Sequence, residues 1–492
     1  MNDLLPLYRP ASMRRIDPAA ADELGIDTHA LMERAGAAAF EILRQRWPRV
    51  TRIGVACGPG NNGGDGYVLA RLAQQAGLEV QVVTLSGAEP KPAEARQAAR
   101  DWKAARGTRK VFDFELPQVE LWVDSIYGIG LSRKTVGLAE SLIERINASR
   151  LPVLALDVPS GLDADRGCAL GTAIRATATV SFIAGKRGLH TGQARDHTGD
   201  WQLASLGLPE DWLAQFPAEA WLARPGSLLR WLSPRHPNAH KGEYGHVLCI
   251  GGEIGMGGAV RLCAEAALRT GVGLASVATR KSGVAALVAA RPEAMTHAVE
   301  DAAALQPLLE RASVLAVGPG LGTGDWGRSL LDAALASGRP AILDADALNL
   351  LAESPRPVPL ATLTPHPGEA ARLLGSDNQS VQKDRFAALA AMVERYQCVV
   401  VLKGAGTLVG APGEVPVVIG AGNPGMAAGG MGDVLTGVIA ALQAQHLGSF
   451  EAAVAGALLH GAAGDAAARI DGERGLLPSD LFPHLRRLAN PA

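Results

Sequence analysis

The sequence predicts an α/β protein with two domains, and three observations support this fold class. The chain has 492 residues, whereas a single domain mostly spans about 100–200 residues. Short apolar segments of strand length alternate with helical patterns, which is typical of a mainly parallel, doubly wound sheet. These segments end repeatedly in polar, glycine-containing loops, and ligands bind at the carboxyl ends of parallel strands. We therefore expect a ligand crevice in each half.

The composition favours an enzyme that acts on small molecules over a protein that binds nucleic acid or membranes. The net charge of −2 provides no positive surface that would attract nucleic acid or an anionic membrane. Aromatic residues make up only 4% of the chain, too few for an extensive base-stacking surface. No apolar run approaches the roughly 20 residues that span a bilayer. We expect no nucleic-acid partner and no membrane partner.

The cysteines indicate a reducing compartment. Five cysteines are scattered without any C-x-x-C spacing, which argues for reduced thiols and against a disulfide framework or a zinc site. The first 15 residues lack the apolar segment of a secretory signal. We therefore expect a cytoplasmic protein.

The N-terminal half begins with a phosphate-binding pattern. Asp27 or Thr28 is predicted to cap a helix within residues 17–47. A strand at residues 53–57 is predicted to run into a glycine-rich loop at 58–66 and then a helix at 67–76. The loop has neither G-x-G-x-x-G nor G-K-[ST], so the fingerprints of nicotinamide-dependent redox enzymes and of P-loop NTPases are absent.

Polar side chains follow the predicted strands of this half at their carboxyl ends. Further strands are predicted at residues 80–85, 121–126 and 153–157, and helices at 92–105 and 138–148. The polar residues at these strand ends are Asn61, Asn62, Asp65, Asp124, Asp157 and Ser160. The two asparagines and the aspartate of the glycine-rich loop can act as turn formers or as oxygen ligands of a hard cation. Their convergence favours a ligand site.

A proline-rich stretch separates the two halves. Residues 208–237 contain five prolines and are predicted to be irregular, as in a linker. We expect the boundary near Arg224, with domains at residues 1–223 and 224–492.

The strongest signal of the C-terminal half is the stretch N-P-G-M-A-A-G-G-M-G-D-V-L-T-G at residues 423–437. Glycines before a helix let backbone N–H groups approach an anion, which the helix dipole also favours. Asp433 follows these glycines and can take a proton from an attacking hydroxyl. The alternative is that Asp433 only caps the helix.

Other strand ends in this half carry candidate ligand contacts. Strands are predicted at residues 246–250, 314–317, 341–343 and 398–402, each followed by a polar loop. His366 lies between two prolines and is either a ligand contact or a structural residue. Glu369 either holds magnesium (Mg2+) through water or stabilises the start of the next helix. Lys403 can offset phosphate charge.

The motifs of the N-terminal half resemble the NAD(P)H-hydrate epimerase family over about residues 8–215. The resemblance implies a potassium ion (K+) bound by Asn62, Asp124 and Ser160. One departure is Ile129, where we expect threonine; a backbone contact survives that change, whereas a hydroxyl contact does not. The implied contacts of the hydrated nucleotide are Asn61, Asn62, Gly63, Gly64, Asp65, Gly128, Ile129, Gly130, Leu131, Ser132, Arg133, Lys134 and Asp157.

The C-terminal half resembles the ribokinase-like fold, and more narrowly the ADP-dependent NAD(P)H-hydrate dehydratase family, over about residues 225–488. The motifs that carry the resemblance are those at residues 364–369, 403–407 and 423–437. It implies that Ala259, Gly320, His366 and Asp433 contact the hydrated nicotinamide nucleotide. It also implies that ADP, used with Mg2+, is bound by Lys403, Gly404, Ala405, Gly406, Thr407 and Gly432. The family further suggests a homo-oligomer.

Together the two resemblances imply a bifunctional repair enzyme for hydrated NADH and NADPH. The N-terminal half interconverts the R and S hydrates, and the C-terminal half dehydrates the S form with ADP, giving AMP and phosphate. Asp157 is the candidate acid/base of the epimerase half; the alternative is that it only supports other site residues or caps a helix. Lys186 can neutralise a phosphate, or it is simply a surface charge.

Two rival functions compete with the repair enzyme. A small-alcohol kinase of the ribokinase-like type would use Asp433 and the glycine loop equally well, but it has no need of the attached epimerase-like half. Alternatively, the N-terminal half is a non-catalytic binding module, since domains can lose activity and keep their fold.

Overall fold

The computed structural model describes residues 4–490, and the chain divides into two compact units. One unit comprises Pro6–Ala220, and the other begins at Trp221 and also takes in Leu4 and Leu5. Each unit has an α/β architecture with a largely parallel sheet, so the predicted fold class is confirmed. None of the helices in residues 4–490 is both long and apolar enough to cross a membrane.

The N-terminal unit is built on a seven-stranded sheet in the order β4-β3-β2-β5-β6-β7-β9, in which every neighbouring pair is parallel. A separate parallel pair joins β1 to β8. The strands are β1 (Leu5–Tyr8), β2 (Arg52–Cys57), β3 (Glu79–Thr84), β4 (Arg109–Val111), β5 (Leu121–Ser125), β6 (Val153–Leu156), β7 (Ala178–Phe182), β8 (Gly185–Lys186) and β9 (Asp200–Ala204).

The helices of this unit follow the predicted order. As predicted, Asp27 caps a helix, because its carboxylate accepts a hydrogen bond from the N–H of Ala30. The helices are α1 (Pro10–Glu23), α2 (Thr28–Arg46), α3 (Asn61–Gln75), α4 (Ala93–Ala104) and α5 (Leu138–Ala148).

The glycine-rich stretch after β2 differs from the prediction, because most of it is helix and not loop. Helix α3 starts at Asn61, so the N-N-G-G-D-G segment forms its first turns and is largely buried. A Cβ on Gly63 would lie 2.0 Å from the carbonyl oxygen of Gly58, and one on Gly66 would lie 2.1 Å from Oγ of Ser125. The glycines therefore let the helix pack directly against the strand ends, which local propensity alone does not reveal.

The C-terminal unit has a ten-stranded sheet in the order β13-β12-β11-β14-β15-β16-β17-β18-β19-β10. Its pairs are parallel except β17–β18 and β18–β19, which are antiparallel. The strands are β10 (Ala220–Ala223), β11 (His246–Ile250), β12 (Leu274–Thr279), β13 (Met295–Ala298), β14 (Val314–Val317), β15 (Ala341–Leu343), β16 (Ala361–Leu363), β17 (Val399–Leu402), β18 (Leu408–Gly410) and β19 (Val417–Ile419). The stretch predicted to be an irregular linker thus contains strand β10, which pairs with β19.

The helices of the C-terminal unit include two that are almost entirely apolar. Most residues of α14 and α15 are buried, and these two helices pack on each other and on the sheet. The helices are α6 (Gly257–Thr270), α7 (Val284–Ala290), α8 (Ala302–Arg311), α9 (Asp325–Ala336), α10 (Asp346–Glu353), α11 (Pro367–Leu374), α12 (Asn378–Lys383), α13 (Arg385–Tyr396), α14 (Met431–Ala444), α15 (Ser449–Asp471) and α16 (Leu481–Leu488).

Each sheet has a point where the strand order reverses. In the N-terminal unit the chain winds outward on either side of β2 and β5, and in the C-terminal unit on either side of β11 and β14. Open α/β sheets bind ligands outside the carboxyl ends of strands at such a switch point. The two predicted site regions lie at these ends.

Candidate functional site

The polar strand ends of the N-terminal unit meet at the switch point. The Asp124 carboxylate, at the end of β5, is fully buried and accepts hydrogen bonds from Ser160, at 2.7 Å from its N–H and 2.6 Å from its hydroxyl. The side-chain N–H of Asn62 donates to the backbone carbonyl of Tyr127 at 2.9 Å. Burial raises the pKa of Asp124 to about 6, against the effect of the Ser160 hydrogen bonds.

One polar atom in this cluster lacks a partner. The Oδ1 atom of Asn62 is buried, and no described residue donates a hydrogen bond to it. A buried carbonyl oxygen without a donor costs free energy unless a ligand satisfies it. With the Asp124 carboxylate and the Ser160 hydroxyl nearby, this set of oxygens is of the kind that a hard cation prefers. The three side chains thus fit the expected K+ site.

Asp157 follows β6 and forms an ion pair with Lys186. The Lys186 ammonium lies 2.5 Å from Oδ1 of Asp157 and donates to the carbonyl of Phe182 at 3.0 Å. Lys186 is only 1% exposed, so its interpretation as a surface charge is wrong. Asp157 has a left-handed backbone with φ of 63°, which is uncommon outside glycine and is frequent at functional sites.

Two further carboxyl groups lie in the electrostatic range of this pair. Burial raises the pKa of Asp17 to about 7, with Lys186 opposing and Asp157 adding to the shift. Burial also raises the pKa of Asp65 well above its usual value, with contributions from Asp157 and Asp17. The sequence gives no indication of Asp17, because it lies on α1 and nothing in its local pattern connects it to the strand ends.

The segment at residues 128–134 is non-helical, as predicted. Gly128 packs close to Asn62, since a Cβ there would lie 3.2 Å from Cβ of Asn62. Ile129 packs partly against the hydrophobic core, whereas four positions near the tip are exposed to solvent: Gly130, Ser132, Arg133 and Lys134. Leu131 is half-buried. Backbone contacts to a ligand are therefore available at Gly128, beside the cation cluster.

The C-terminal unit has a buried charge network at the ends of β15 and β17. The Lys403 ammonium donates to Oδ1 of Asp344 at 2.7 Å, and the Thr436 hydroxyl donates to Oδ2 at 3.0 Å. Burial favours the neutral acid, but the Lys403 charge and these hydrogen bonds outweigh it and lower the pKa of Asp344. The network joins the strand ends to helix α14.

Asp433 lies in the first turn of α14 and not at its cap. The N-cap residue is Gly430, which has φ of 93°, and the helix begins at Met431. The alternative that Asp433 is only a capping residue is therefore wrong. Burial, together with the charge of Asp344, raises the pKa of Asp433 to about 7, against the effect of Lys403. A carboxylate with this pKa suits general-base work near neutral pH.

His366 and Glu369 form a reciprocal cap at the start of α11. Nδ1 of His366 accepts hydrogen bonds from the backbone N–H of Gly368 and Glu369, and Oε2 of Glu369 accepts from the N–H of His366 at 2.7 Å. Nε2 of His366 therefore carries the proton of the neutral ring, and half of the side chain is exposed. Burial lowers the pKa of His366, with help from the Lys403 charge.

Ala259 and Gly320 face each other at the switch point of this unit. Gly320 has φ of 61°, and a Cβ there would lie 2.9 Å from Cβ of Met256 and 3.3 Å from Cβ of Ala259. The small residues let the loop after β14 pack closely against the start of α6. These two predicted contacts are thus adjacent in the structure.

The predicted nucleotide loop at residues 403–407 lies beside the N-terminus of α14. A Cβ on Gly432 would lie 3.1 Å from Nζ of Lys403, and the Thr407 hydroxyl donates to the carbonyl of Gly404 at 3.1 Å. Arg385 is fully buried under this loop, where it donates to the carbonyls of Leu402 and Lys403. Gly404, Ala405 and Gly406 continue the loop. Arg385 was missed, since an arginine at a helix start carries no local signal.

Helix α15 supports the loop that precedes Asp433. Asp465 accepts hydrogen bonds from the N–H of Gly422 and from the side chain of Asn423, each at 3.0 Å. His460 is buried on the same helix, and burial lowers its pKa to about 4. Neither residue was predicted from the sequence. The available signal was a histidine and an aspartate five residues apart within the otherwise apolar middle of the helix.

Comparisons with known proteins agree on both halves of the chain. Residues 247–487 match the family model described as NAD(P)H-hydrate dehydratase, and residues 28–188 match the one described as YjeF-related protein N-terminus. The chain is 48% identical to the bifunctional NAD(P)H-hydrate repair enzyme of Coxiella burnetii, over 99% of each chain. It is 45% identical to that of Escherichia coli, over 97% of this chain and 93% of the relative.

A solved structure supports the fold of the C-terminal unit. A ribokinase-like superfamily protein from Enterococcus faecalis is 28% identical, with a TM-score of 0.52. The match covers 56% of this chain and 99% of that protein. The predicted ribokinase-like fold of this half is therefore confirmed.

Proposed function

The chain belongs to the family of bifunctional NAD(P)H-hydrate repair enzymes, and from this membership we propose how its two halves divide the repair reaction. The N-terminal half is the epimerase, which interconverts the R and S hydrates of NADH and NADPH. The C-terminal half is the dehydratase, which converts the S hydrate back to the reduced nucleotide. Damage that produces both epimers needs both activities, which explains why the two are fused.

Asp157 is the proposed acid/base of the epimerase half. Its carboxylate lies at the end of a strand near the switch point, beside Asp65 and the buried Lys186. The reaction breaks the bond between the ring carbon and the hydroxyl oxygen as the ring nitrogen supplies electrons, and water then adds from the other face. Each step moves one proton, which a positioned carboxyl group can give or take. The nucleotide contacts are those named from residues 61–65 and 128–134.

K+ is the proposed cation of the epimerase half, held by Asn62, Asp124 and Ser160. The support is the unpartnered, buried Oδ1 of Asn62 beside the Asp124 carboxylate and the Ser160 hydroxyl. A bound cation here would supply positive charge that helps to hold an anionic nucleotide. The side chains themselves order the Tyr127 backbone, since the Tyr127 N–H donates to Oγ of Ser160 at 2.8 Å.

Asp433 is the proposed general base of the dehydratase half. It takes the proton of the hydrate's hydroxyl as that oxygen attacks the terminal phosphate of ADP, and AMP leaves. The phosphate ester is then expelled with electrons from the ring nitrogen, and loss of a proton restores the double bond of the ring. Ala259, Gly320 and His366 are the other proposed substrate contacts, and the Nε2–H of His366 is available to donate to a ligand.

ADP is the proposed phosphoryl donor, whose terminal phosphate the hydroxyl attacks; it is bound at Lys403–Thr407 and Gly432, with Mg2+ on its phosphates. The carboxylate of Glu369 is engaged by the His366 backbone and lies 3.7 Å from the Lys403 ammonium. The two oxygens of Asp344 accept from Lys403 and Thr436. Mg2+ would therefore be held mainly through phosphate oxygens and water, as is common for this ion.

The observation that carries the function is the match to bifunctional relatives over nearly the whole length of both chains. A small-alcohol kinase would leave the N-terminal half unexplained. A non-catalytic N-terminal half is disfavoured because Asn62, Asp124, Asp157 and Ser160 are all present and are positioned around one switch point.

The proposal also covers the cellular compartment and the oligomeric state of the enzyme. All five cysteines are buried, and no disulfide joins any of them, which supports a reducing, cytoplasmic compartment. Closed homo-oligomers are common among soluble enzymes, and a homo-oligomer is proposed here on the family's pattern.

The test is to incubate the purified protein with mixed R and S NADH hydrate, Mg2+, K+ and ADP, and to follow the absorbance of the reduced nicotinamide. Complete recovery is expected if both halves are active, since dehydration alone stops when the S form is consumed. Recovery that stalls at the S fraction would contradict the epimerase assignment. No recovery with ADP or ATP would overturn the repair function and favour the kinase.

A further inference from the structure

Lys186 is a buried cation that the proposed reaction does not yet use. It lies on β8, is 1% exposed, and is surrounded by carboxyl groups from separate elements. We propose that Lys186 is a positioning residue of the epimerase reaction, which fixes the Asp157 carboxylate in the orientation in which it exchanges a proton with the hydroxyl of the nicotinamide ring. The inference rests on the proposed epimerase function and adds a residue to it.

The geometry of the ion pair favours positioning over substrate binding. Two of the three donors of the Lys186 ammonium are occupied, by Oδ1 of Asp157 at 2.5 Å and by the carbonyl of Phe182 at 3.0 Å. The Lys186 side chain is 2% exposed, whereas that of Asp157 is 14% exposed. Asp157 is therefore the member of the pair that faces the crevice, and Lys186 acts from behind it.

The backbone on both sides of the pair is also constrained. Asp157 has φ of 63° and its N–H donates to the carbonyl of Val180 at 2.7 Å. Lys186 is in register with Tyr8 in the parallel pair of β8 and β1. A left-handed non-glycine residue is strained and persists only where surrounding contacts enforce it. The ion pair is one of these contacts.

The charges around Lys186 explain why a cation is needed at this position. Asp17 faces it from α1, Asp65 from α3 and Asp157 from the end of β6, and Glu94 on α4 acts on Asp65. Burial and mutual repulsion raise the pKa of both Asp17 and Asp65, and Lys186 is the cation that opposes these shifts. Without Lys186, three neighbouring carboxyl groups would repel one another, and Asp157 would turn away from the crevice or share a proton.

The proton transfer itself needs no other reactant. In one direction a carboxylic acid at Asp157 gives its proton to the departing hydroxyl, which leaves as water while the ring nitrogen forms an iminium. In the other direction the carboxylate takes a proton from the water that adds to the opposite face. One carbon–oxygen bond breaks on one face and a new one forms at the same carbon on the other face; one water leaves, one water adds, and the proton that Asp157 gives is returned to it, so atoms and electrons balance.

The experiment uses the full-length chain and the steady-state epimerisation of purified R-NADH hydrate without ADP, followed by chromatography of the two epimers. The variants are Lys186→Met, Asp157→Asn, the double variant and Lys186→Arg. The matched control is Lys103→Met, on the exposed face of α4. Dehydration of S-NADH hydrate with ADP in the same samples reports on the dehydratase half, and circular dichroism reports on folding.

The expected result is a loss of about 100-fold in kcat for Lys186→Met with KM nearly unchanged, which is the size of a typical acid–base contribution. Asp157→Asn should lose as much, and the double variant should be no slower than Asp157→Asn, because Lys186 acts through Asp157. Lys186→Arg keeps a cation and should retain more activity than Lys186→Met. Lys103→Met should match the unmodified chain.

Four outcomes would overturn the inference. Losses that multiply in the double variant would mean that the two residues act independently. A rise in KM with unchanged kcat would make Lys186 a phosphate contact. Full activity of Lys186→Met together with slow epimerisation by Asp157→Asn would show that Lys186 has no role, while the proposed function would stand. An unmodified chain that cannot epimerise would overturn both the inference and the proposed function.

The double variant protects the test against misfolding. Lys186→Met alone leaves a buried carboxylate without its partner, which is strongly destabilising. The double variant leaves neither charge unpaired. If Lys186→Met does not fold, the double variant must still match Asp157→Asn, and Lys186→Arg must exceed both; any other order contradicts the inference.

Discussion

The ammonium of Lys403 lies 2.7 Å from Oδ1 of Asp344, so the predicted nucleotide loop is joined to the neighbouring strand end by a buried ion pair. Thr436 on α14 binds the other oxygen of Asp344 at 3.0 Å. Asp433 lies one turn before Thr436, and its position therefore depends on the same carboxylate. The pair connects nucleotide binding to the placement of the proposed base.

Substitution of Asp344 by asparagine should destabilise the C-terminal unit. Lys403 would lose its charged partner in a buried site, which typically costs about 3–5 kcal/mol. Urea unfolding of the full chain should show the loss in the transition of this unit. The control is Glu353→Gln, which breaks the exposed pair with Arg328 and should cost less than about 1 kcal/mol. Equal losses for the two variants would contradict the importance of burial.

Asp433→Asn should remove dehydration and spare epimerisation. Removal of a general base typically costs about 100-fold to 10,000-fold in rate. S-hydrate dehydration with ADP and R-hydrate epimerisation without ADP measure the two activities in one sample. Asp471→Asn, at the exposed end of α15, is the control. A loss of both activities would point to misfolding and not to a missing base.

The dehydratase half should become more active as pH rises through about 7. The pKa of Asp433 is raised to about 7, and the base works only when its carboxylate is ionised, which occurs above that pKa. The kcat/KM for S-hydrate reports the free enzyme. It should increase between pH 6 and pH 8 and then level off, at roughly tenfold above its pH 6 value. A flat profile would rule out Asp433 as the titrating base.

Asn62→Ala should raise the K+ concentration that gives half-maximal epimerisation. The substitution removes the buried Oδ1 that lacks a partner, and loss of a group at a metal site typically lowers affinity about 10–100-fold. Epimerisation would be titrated with KCl at constant ionic strength, with tetramethylammonium chloride as the balancing salt. An unchanged half-saturating K+ concentration would exclude Asn62 as a ligand.

Asp465→Ala should raise the KM for ADP while leaving the fold intact. Asp465 holds the N–H of Gly422 and the side chain of Asn423, at the start of the segment that leads to Asp433. Hydrogen bonds to a charged group contribute about 1.5–3 kcal/mol, so the KM should rise about tenfold or more. Asp471→Asn again serves as the control on the same helix. A normal KM for ADP would show that the loop is ordered without Asp465.

Asp17→Asn should stabilise the N-terminal unit at alkaline pH. The pKa of Asp17 is raised from 3.8 to about 7 in the folded chain, so the folded state binds a proton that the unfolded state releases. Its stabilising contribution is present below about pH 4 and is lost as pH rises through about 7. The difference in Tm between Asp17→Asn and the unmodified chain should therefore grow from pH 5 to pH 8. Asp22→Asn, exposed on the same helix, should show no such growth.

The sequence by itself determined the α/β class, the ribokinase-like C-terminal half and most strand ends. Strand lengths, glycine positions and apolar periodicity are local properties, so β11, β14 and β15 were predicted with their observed bounds. The convergence of the polar strand ends also followed, because carboxyl ends of adjacent parallel strands must meet. The choice of Asn62, Asp124 and Ser160 among them as the K+ ligands came from the family resemblance.

Only the tertiary structure decided how these residues interact. Residues 61–66 form helix, since the glycines among them lack Cβ atoms and allow close packing that helix propensity does not describe. Lys186 is a buried partner of Asp157, and Asp17 lies near this pair although its helix is distant in the chain. Ion pairs and pKa shifts depend on burial and on neighbours from distant segments, and no local pattern in a sequence encodes either of them.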